Sequence, residues 1–290
     1  MLQMVTRIFL MILSLCVCGC NSLDLKGLVI PTGDGVNKRF EQSMGMTGGF
    51  NVGTIETQKS YTFYVAADPH VDETHRNLDR FNNTLRNDSC ASFGVILGDC
   101  IDVKDNLPEY LEALSYSPGK HTYNQNIYHI LGNHDVYFNG WDDFKELVGP
   151  SVFWFETVFD GGKDLYISLD SATGSLGRKQ TEWFRSFLAA SRDEYRHCVI
   201  LTHTNFFYTD NSQGASGNMP IEECSALIDL LGRFDVSMVL QGHDHYREDS
   251  IYDNVRYITL GAISDKMESP EYLKVIVGED EICLDWHLIL

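Results

Sequence analysis

Short apolar runs alternate with amphipathic stretches along the chain from Tyr61 onward. The β-branched and aromatic run Tyr61–Ala66 predicts a buried strand, and Leu78–Arg86 has the apolar spacing of a helix. By the same criteria, further strands are predicted at Phe93–Leu97, Ile127–Leu131, Phe153–Phe159, Leu165–Leu169, Cys198–Leu201, Val236–Leu240, Val255–Leu260, Tyr272–Val277 and Ile282–Leu290. Further helices are predicted at Leu107–Leu114, Trp141–Val148, Thr181–Ala190 and Ile221–Leu231. Helices between the earlier strands and hairpins at the end predict an α/β sandwich whose mixed sheet is covered on both faces.

The N-terminus has a different pattern. A single basic residue, Arg7, precedes the apolar run Ile8–Val17, which is too short to cross a bilayer as a helix. Residues 1–20 are therefore predicted to be a signal peptide. The segment Val17–Cys20 resembles the lipobox of bacterial lipoproteins, which implies cleavage before Cys20 and attachment of lipid to its thiol. An ordinary secretory signal that contains cysteines is the alternative.

This leader sets the expected organisation of the chain. We expect residues 1–20 to be a lipoprotein signal peptide, residues 21–59 to be partly tether and partly lead-in strand, and residues 60–290 to form one domain. The expected location is the bacterial cell envelope, on the periplasmic or outer surface. The membrane is then a partner through the lipid anchor at Cys20, and no protein partner is predicted.

Composition narrows the range of partners. The chain has 290 residues, of which 43% are hydrophobic, enough for one large core. It carries 22 basic and 41 acidic residues, which give a formal net charge of -19. Because so acidic a surface repels polyanions, long nucleic acid is not expected as a partner. The five cysteines after residue 20 show no paired spacing, which argues against a zinc ribbon.

Residues of metal-ligand type follow five of the predicted strands. They are Asp68 and His70, then Asp99 and Asp102, then Asn133, His134 and Asp135, then His203, and finally His243 and His245. Ligands of open α/β sheets bind beyond the carboxyl ends of the strands, so these five clusters are expected to converge. Each motif alone has a structural explanation, as a turn or as a buried histidine. The joint occurrence of all five, each after a strand, predicts a metal centre.

The chemistry of the donors indicates which ions would bind. A mixed set of carboxylate, imidazole and amide groups suits Mn, Fe or Zn better than Ca or Mg alone. Two such ions about 3.5–4 Å apart can clamp both sides of a phosphoryl displacement. Two divalent or trivalent transition metal ions are therefore the predicted cofactors.

The order of the motifs resembles that of the calcineurin-like metallophosphoesterase superfamily. This order is Asp-x-His, Gly-Asp-x-x-Asp, Gly-Asn-His-Asp, His and Gly-His-x-His, between Tyr61 and the C-terminus. The resemblance implies a four-layered αββα sandwich with two mixed β-sheets, the metallo-dependent phosphatase fold. It also implies a phosphodiesterase or phosphomonoesterase that acts on small organic phosphates, with a metal-bridging hydroxide as the nucleophile.

The resemblance further implies a role for each matched residue. One metal ion would be bound by Asp68, His70 and His245, and the other by Asn133, His203 and His243, with Asp99 bridging the two. His134 would be the general acid near the leaving-group oxygen, and Asp102 the carboxylate that orients it. Asp135 would contact the ligands without binding an ion.

Departures from the family pattern narrow the subclass. Protein Ser/Thr phosphatases have an arginine after the Gly-Asp motif and another before Gly-Asn-His, whereas Val103-Lys104 and Leu131 stand at those places here. Purple acid phosphatases have a tyrosine where Asp102 stands. What remains resembles the bacterial cyclic-nucleotide phosphodiesterase-like group. It often has a second histidine and prolines after the position of His203, whereas Thr204–Phe206 follows here.

Two questions stay open at this point. The aromatic residues that flank two motifs would either stack on a base or aryl group or pack the loops down; they are Tyr137, Phe138 and Trp141, and Phe206, Phe207 and Tyr208. The alternative functions are a nuclease of the same fold and a non-catalytic binding lipoprotein of the envelope. The acidic charge argues against the first, and the complete set of ligand residues argues against the second.

Overall fold

The computed structural model describes residues 34–114, 127–207 and 218–290. The predicted signal peptide and the predicted lipidation site Cys20 lie outside these residues, as does Tyr208. No helix within the described ranges is both long and apolar enough to cross a membrane.

Helices and strands alternate in the order that the sequence predicts. The strands are β1 (Asn51–Glu56), β2 (Tyr61–Ala66), β3 (Ala91–Ile96), β4 (Ile127–His129), β5 (Phe153–Phe159), β6 (Gly162–Leu169), β7 (Cys198–Thr202), β8 (Met238–Gln241), β9 (Glu248–Tyr252), β10 (Val255–Thr259), β11 (Glu271–Val277) and β12 (Ile282–Leu288). The α-helices are α1 (Val36–Thr47), α2 (Arg76–Asn87), α3 (Leu107–Ala113), α4 (Asn133–Val136), α5 (Gly140–Leu147), α6 (Gly177–Ser191) and α7 (Ile221–Arg233). All the predicted elements are present, with ends that differ by a few residues.

The strands form two mixed sheets. The larger sheet has seven strands in the order β1-β5-β6-β7-β8-β10-β9, in which β6, β7, β8 and β10 are parallel. The smaller sheet has five strands in the order β12-β11-β2-β3-β4, in which β2, β3 and β4 are parallel. The prediction of two mixed sheets is therefore confirmed.

Three apolar cores separate four layers. Between the sheets, Phe93 of β3 packs edge-on against Phe155 of β5, with ring centroids 5.3 Å apart. Helices α2, α3 and α5 cover the outer face of the smaller sheet, and α6 and α7 cover that of the larger sheet. Each large apolar side chain buried in these cores contributes about 1.5–3 kcal/mol. The layers confirm the predicted four-layered αββα sandwich, the metallo-dependent phosphatase fold.

Part of the predicted tether is a packed helix, which corrects the expectation for residues 21–59. In α1, Arg39 forms two 2.8 Å contacts with the carboxylate of Asp170, and both side chains are buried. Phe40 of the same helix packs on Phe50. The sequence pattern missed this helix because its buried face is formed by Arg39, Phe40 and Ser43, only one of which is apolar. The packed part of the chain thus includes a helix that precedes residue 60.

The carboxyl ends of the parallel strands lie on one edge of the sandwich, and there the two sheets approach each other. Ala67, just after β2, forms a parallel bridge with Ala262, which follows β10 of the other sheet. The N–H of Ile263 donates a 2.9 Å hydrogen bond to the carbonyl of Ala67. Loops that leave β2, β3 and β4 therefore meet loops that leave β7 and β8 at this edge.

Candidate metal centre

The structure brings together all seven residues that the sequence analysis assigned as metal ligands. Asp68 and His70 follow β2, Asp99 follows β3, Asn133 follows β4, His203 follows β7, and His243 and His245 follow β8. Their donor atoms form two clusters, each with its atoms within 4.8 Å of one another: Asp68, His70, Asp99 and His245 in the first, and Asp99, His203 and His243 in the second. Asn133 joins the second cluster, since its Oδ1 lies 2.9 Å from Nε2 of His203.

Asp99 lies between the two clusters and belongs to both. Its Oδ2 lies 3.5 Å from Nε2 of His70, and its Oδ1 lies 3.4 Å from Nε2 of His203. The two oxygens of one carboxylate therefore face two different imidazoles. This is the placement that a bridging ligand requires.

The second cluster contains lone pairs that face one another. Nδ1 of His203 lies 2.8 Å from the carbonyl oxygen of Leu97, which can only accept, so Nδ1 carries the proton. Burial lowers the pKa of His203, so the ring is neutral and its Nε2 presents a lone pair. That lone pair faces Oδ1 of Asn133 at 2.9 Å and Nδ1 of His243 at 3.2 Å. The lone pairs of His203 and Asn133 therefore face each other, and a cation between them would be coordinated by both.

The first cluster also presents the lone pair of a neutral imidazole. Nδ1 of His70 lies 3.1 Å from the carboxylate of Asp102, so Nδ1 is the donor and Nε2 carries the lone pair. This Nε2 faces Nε2 of His245 at 3.0 Å. Burial lowers the pKa of His70 to about 4, and burial also lowers that of His245. Neutral imidazoles are the form that binds metals, so each cluster fits one cation.

The two central carboxylates are buried and differ in pKa. Burial, together with the negative charge of Asp99, raises the pKa of Asp68 well above its usual range. Burial would also raise the pKa of Asp99, but electrostatic interactions with the neighbouring His203, His134 and His70 outweigh it and lower that pKa. Two carboxylates held in one buried site without an internal cation are costly, and bound metal ions would remove that cost.

The backbone of the site is strained where the ligands are attached. Asp68, His70, Asp99, His243 and His245 all have positive φ, between 43° and 75°. Side chains other than glycine enter this left-handed region at a cost of about 1 kcal/mol or more each. Strain of this kind is concentrated at functional sites, because the side chains must point where a regular turn would not place them.

Glycines in three motifs make room for the ligands. A Cβ on Gly132 would lie 2.0 Å from the backbone nitrogen of Asp99 and 2.3 Å from its Oδ1. A Cβ on Gly98, where φ is +85°, would lie 2.7 Å from Nδ1 of His203, and one on Gly242 would lie 2.7 Å from Oδ2 of Asp68. Each glycine is therefore required by a close approach to a ligand.

His134 is near the clusters, but the prediction for Asp102 needs correction. Nδ1 of His134 lies 2.8 Å from the main-chain carbonyl of Asp102, so the backbone of Asp102 orients this ring. The carboxylate of Asp102 instead contacts Nδ1 of His70 and, at 2.7 Å, the ammonium of Lys266. The carboxylate does not orient His134 because its two oxygens accept hydrogen bonds from His70 and Lys266. The contact with Lys266 was not predictable from spacing, because 164 residues separate it from Asp102.

Asp135 is buried next to the loops that carry the ligands. Its carboxylate accepts the backbone N–H groups of Cys100 and Gly132 at 2.9 and 2.8 Å. Burial, with the charge of Asp99 adding to it, raises the pKa of Asp135 to about 8. The side chain ties the loop that carries Asp99 to the loop that carries Asn133.

The flanking aromatic residues divide into two groups. Tyr137 and Phe138 are 44% and 41% exposed, and the ring of Tyr137 lies 5.0 Å from that of His134. Trp141, Phe206 and Phe207 are buried, so they pack the loops down. The indole of Trp141 donates a 2.6 Å hydrogen bond to Gln42 of α1. Of the described aromatic residues that flank these two motifs, Tyr137 and Phe138 are therefore the ones open to a bound molecule.

The sandwich and the paired donor clusters define a metal-dependent phosphoester hydrolase. A model of one family, the calcineurin-like phosphoesterases, matches residues 61–247. The chain belongs to the calcineurin-like phosphoesterase family. The matched range includes every residue assigned to the two clusters.

Solved structures show the same fold. GAP50, the anchor in the inner membrane complex of Plasmodium, is 15% identical with a TM-score of 0.60, and the match covers 78% of this chain and 84% of that one. Purple acid phosphatase PPD1 from yellow lupin (Lupinus luteus) seeds is 13% identical with a TM-score of 0.58, over 80% of this chain and 52% of that one. A putative 5'-nucleotidase from Staphylococcus aureus is 15% identical with a TM-score of 0.53, over 80% of this chain and 54% of that one. This chain spans about half the length of the last two. No curated protein matches it.

Proposed function

We propose that this protein hydrolyses phosphate esters of small organic molecules with the help of two transition metal ions, Mn, Fe or Zn. The observation that carries the proposal is the presence of two clusters of metal-ligand atoms that share Asp99. Asp68, His70 and His245 would hold one ion, and Asn133, His203 and His243 the other. When bound, such ions activate water and neutralise the charge of the phosphate.

His134 is proposed to supply the proton for the leaving group. Because its Nδ1–H is directed at the carbonyl of Asp102, the other nitrogen, Nε2, is the one available to hold a proton for transfer. Its ring lies edge-on to that of His70, with centroids 4.6 Å apart, so it stands next to the first cluster. A histidine placed in this way contributes about 10²–10⁴-fold to the rate as a general acid.

The overall charge supports a small substrate. With a formal charge of -19, the protein repels long nucleic acid, so a nuclease activity is less well supported. A non-catalytic binding protein of this fold would have no need for a complete ligand set. Among the described residues, no predicted ligand is missing or displaced from the site.

The experiment is elemental analysis of the purified protein together with assays on chromogenic aryl phosphate monoesters and diesters, with and without added Mn. We expect about two metal ions per chain and metal-dependent turnover of at least one ester class, since the structure provides two donor clusters. His134→Ala should lower kcat about 10²–10⁴-fold and keep both ions.

Each outcome of this experiment bears on a different part of the proposal. No turnover with any metal, despite bound ions, would favour the non-catalytic alternative. Turnover of DNA or RNA at rates above those of the small esters would favour the nuclease. A His134→Ala protein that works at the full rate would remove the general-acid role and leave the metal site intact.

A further inference from the structure

One metal-ligand side chain is held from both ends. The amide of Asn133 directs Oδ1 to within 2.9 Å of Nε2 of His203, on the side of the second cluster. Its other end, Nδ2, donates a 2.9 Å hydrogen bond to the hydroxyl of Tyr137. The sequence analysis noted Tyr137 only as a flanking aromatic residue, so this contact gives it a role that spacing alone did not show.

The contact matters because an asparagine amide has two ends of nearly equal size and opposite chemistry. Only the oxygen has lone pairs for a cation, whereas the NH₂ group would be repelled by it. Without a partner for Nδ2, the side chain is free to rotate, and binding of the ion must then pay the cost of ordering it. Hydrogen-bond partners behind a ligand remove this cost and orient the donor atom.

The backbone is shaped to bring the tyrosine back to the asparagine. Asn133 and Tyr137 are four residues apart, and the single turn of α4 between them places them on one face. The chain then changes direction through two consecutive left-handed residues, Phe138 with φ 54° and Asn139 with φ 67°. Helix α5 begins at Gly140, where a Cβ would lie 2.3 Å from the carbonyl oxygen of Asp135. This strained and crowded turn fixes the position of Tyr137.

We propose that Tyr137 is a positioning residue, which holds the Asn133 amide with its oxygen toward the second metal ion. The proposal rests on the metal site of the proposed function. Tyr137 touches neither the ion nor the reacting atoms in this role and acts only through Asn133. Loss of its hydroxyl should therefore weaken the binding of one ion and leave the other unchanged.

The test is a metal titration of the metal-free full chain, with Mn and with Zn, by isothermal calorimetry and by competition with a chelator. We expect Tyr137→Phe to weaken the second ion by about tenfold or more, because outer hydrogen-bond partners typically contribute 10–100-fold to metal affinity. Tyr246→Phe is the matched control. Its exposure of 40% is similar, and its hydroxyl lies 3.4 Å from the carboxylate of Asp244, which is not an assigned ligand, so both ions should bind as in the wild type.

A double-mutant cycle separates positioning from a general structural effect. In an Asn133→Ala background, Tyr137→Phe should cause no further loss of affinity, since the side chain through which it acts is gone. The same fold-loss in both backgrounds would overturn the proposal, as would a Tyr137→Phe protein with the wild-type isotherm. A wild-type protein that binds no metal would contradict the proposed function itself, which is a distinguishable result.

Discussion

Buried carboxylates lie at both ends of the strands, and their negative charges are balanced in different ways. At the amino ends, Asp164 of β6 contacts Arg196 at 2.9 and 2.5 Å and accepts a 2.9 Å hydrogen bond from the hydroxyl of Tyr61. At the carboxyl ends, Asp68 and Asp99 are equally buried, but among the described residues their ion-pair partners are histidines rather than arginine or lysine. Their neighbours are histidines, several of which burial keeps neutral.

The source of the balancing positive charge distinguishes a structural carboxylate from one that binds metal. Asp164 sits within a regular strand, and its counter-charge is part of the chain, so folding alone completes the cluster. Asp99 has a left-handed backbone and faces the lone pairs of two imidazoles, so folding leaves the cluster in need of positive charge. A buried carboxylate is therefore a sign of function only when the protein does not itself supply the cation.

Asp99→Asn should have the largest effect, because it removes the bridging charge. We expect at least one ion to be lost and kcat/KM to fall by about 10³-fold or more, which corresponds to several kcal/mol of transition-state stabilisation. The free energy of unfolding of the metal-free protein should change little, since the repulsion from Asp68 that is relieved and the attraction of the histidines that is lost oppose each other. Elemental analysis, kinetics and urea unfolding measure the three effects. A clear loss of stability in the metal-free state would contradict the contrast with Asp164.

Asp164→Asn is the matched substitution at the other end and should have the opposite profile. It removes the negative charge that faces the guanidinium of Arg196, and breaking this partly buried pair should cost up to about 3 kcal/mol of unfolding free energy. Metal content and kcat should stay at wild-type values, because the cluster lies at the amino ends of the strands, away from the site. Urea unfolding and elemental analysis of the same preparation test this. Metal loss as great as in Asp99→Asn would show that the two ends are not independent.

The sequence allowed the carboxyl-end cluster to be predicted because its geometry follows from a simple rule. Each ligand comes directly after a strand, and parallel strands deliver their ends to one edge, so Asp68, Asn133 and His203 could be assigned together. The contacts of Asp102 with Lys266 and of Asn133 with Tyr137 could not be predicted. Both depend on how a loop turns, and nothing in the residue types fixes that turn. Helix α1 was missed for another reason, since a buried arginine hides its apolar face.

The smallest effect concerns His129, a buried histidine that belongs to neither cluster. It lies in β4, and its Nδ1 is 2.7 Å from the hydroxyl of Tyr110. Burial lowers the pKa of His129 to about 4, below the value of about 6.5 for an exposed histidine, so the unfolded chain takes up the proton first as the pH falls. Its contribution to stability is therefore complete above about pH 6.5 and is lost progressively toward pH 4.

His129→Gln should flatten the acid side of the stability profile. The wild type should lose up to about 1.4 kcal/mol more per pH unit than the variant between pH 6 and 5, measured by urea unfolding. Because His129 binds no ion in this scheme, the difference should be the same with and without added metal. Burial also keeps His70 and His203 neutral, but a bound metal ion should protect them from protonation. The contribution of these two histidines to the pH dependence of stability should therefore change when metal is added, whereas that of His129 should not. If the difference between the wild type and His129→Gln disappeared when metal was added, His129 would belong to the metal centre. The contrast between structural and metal-binding buried groups would then be wrong.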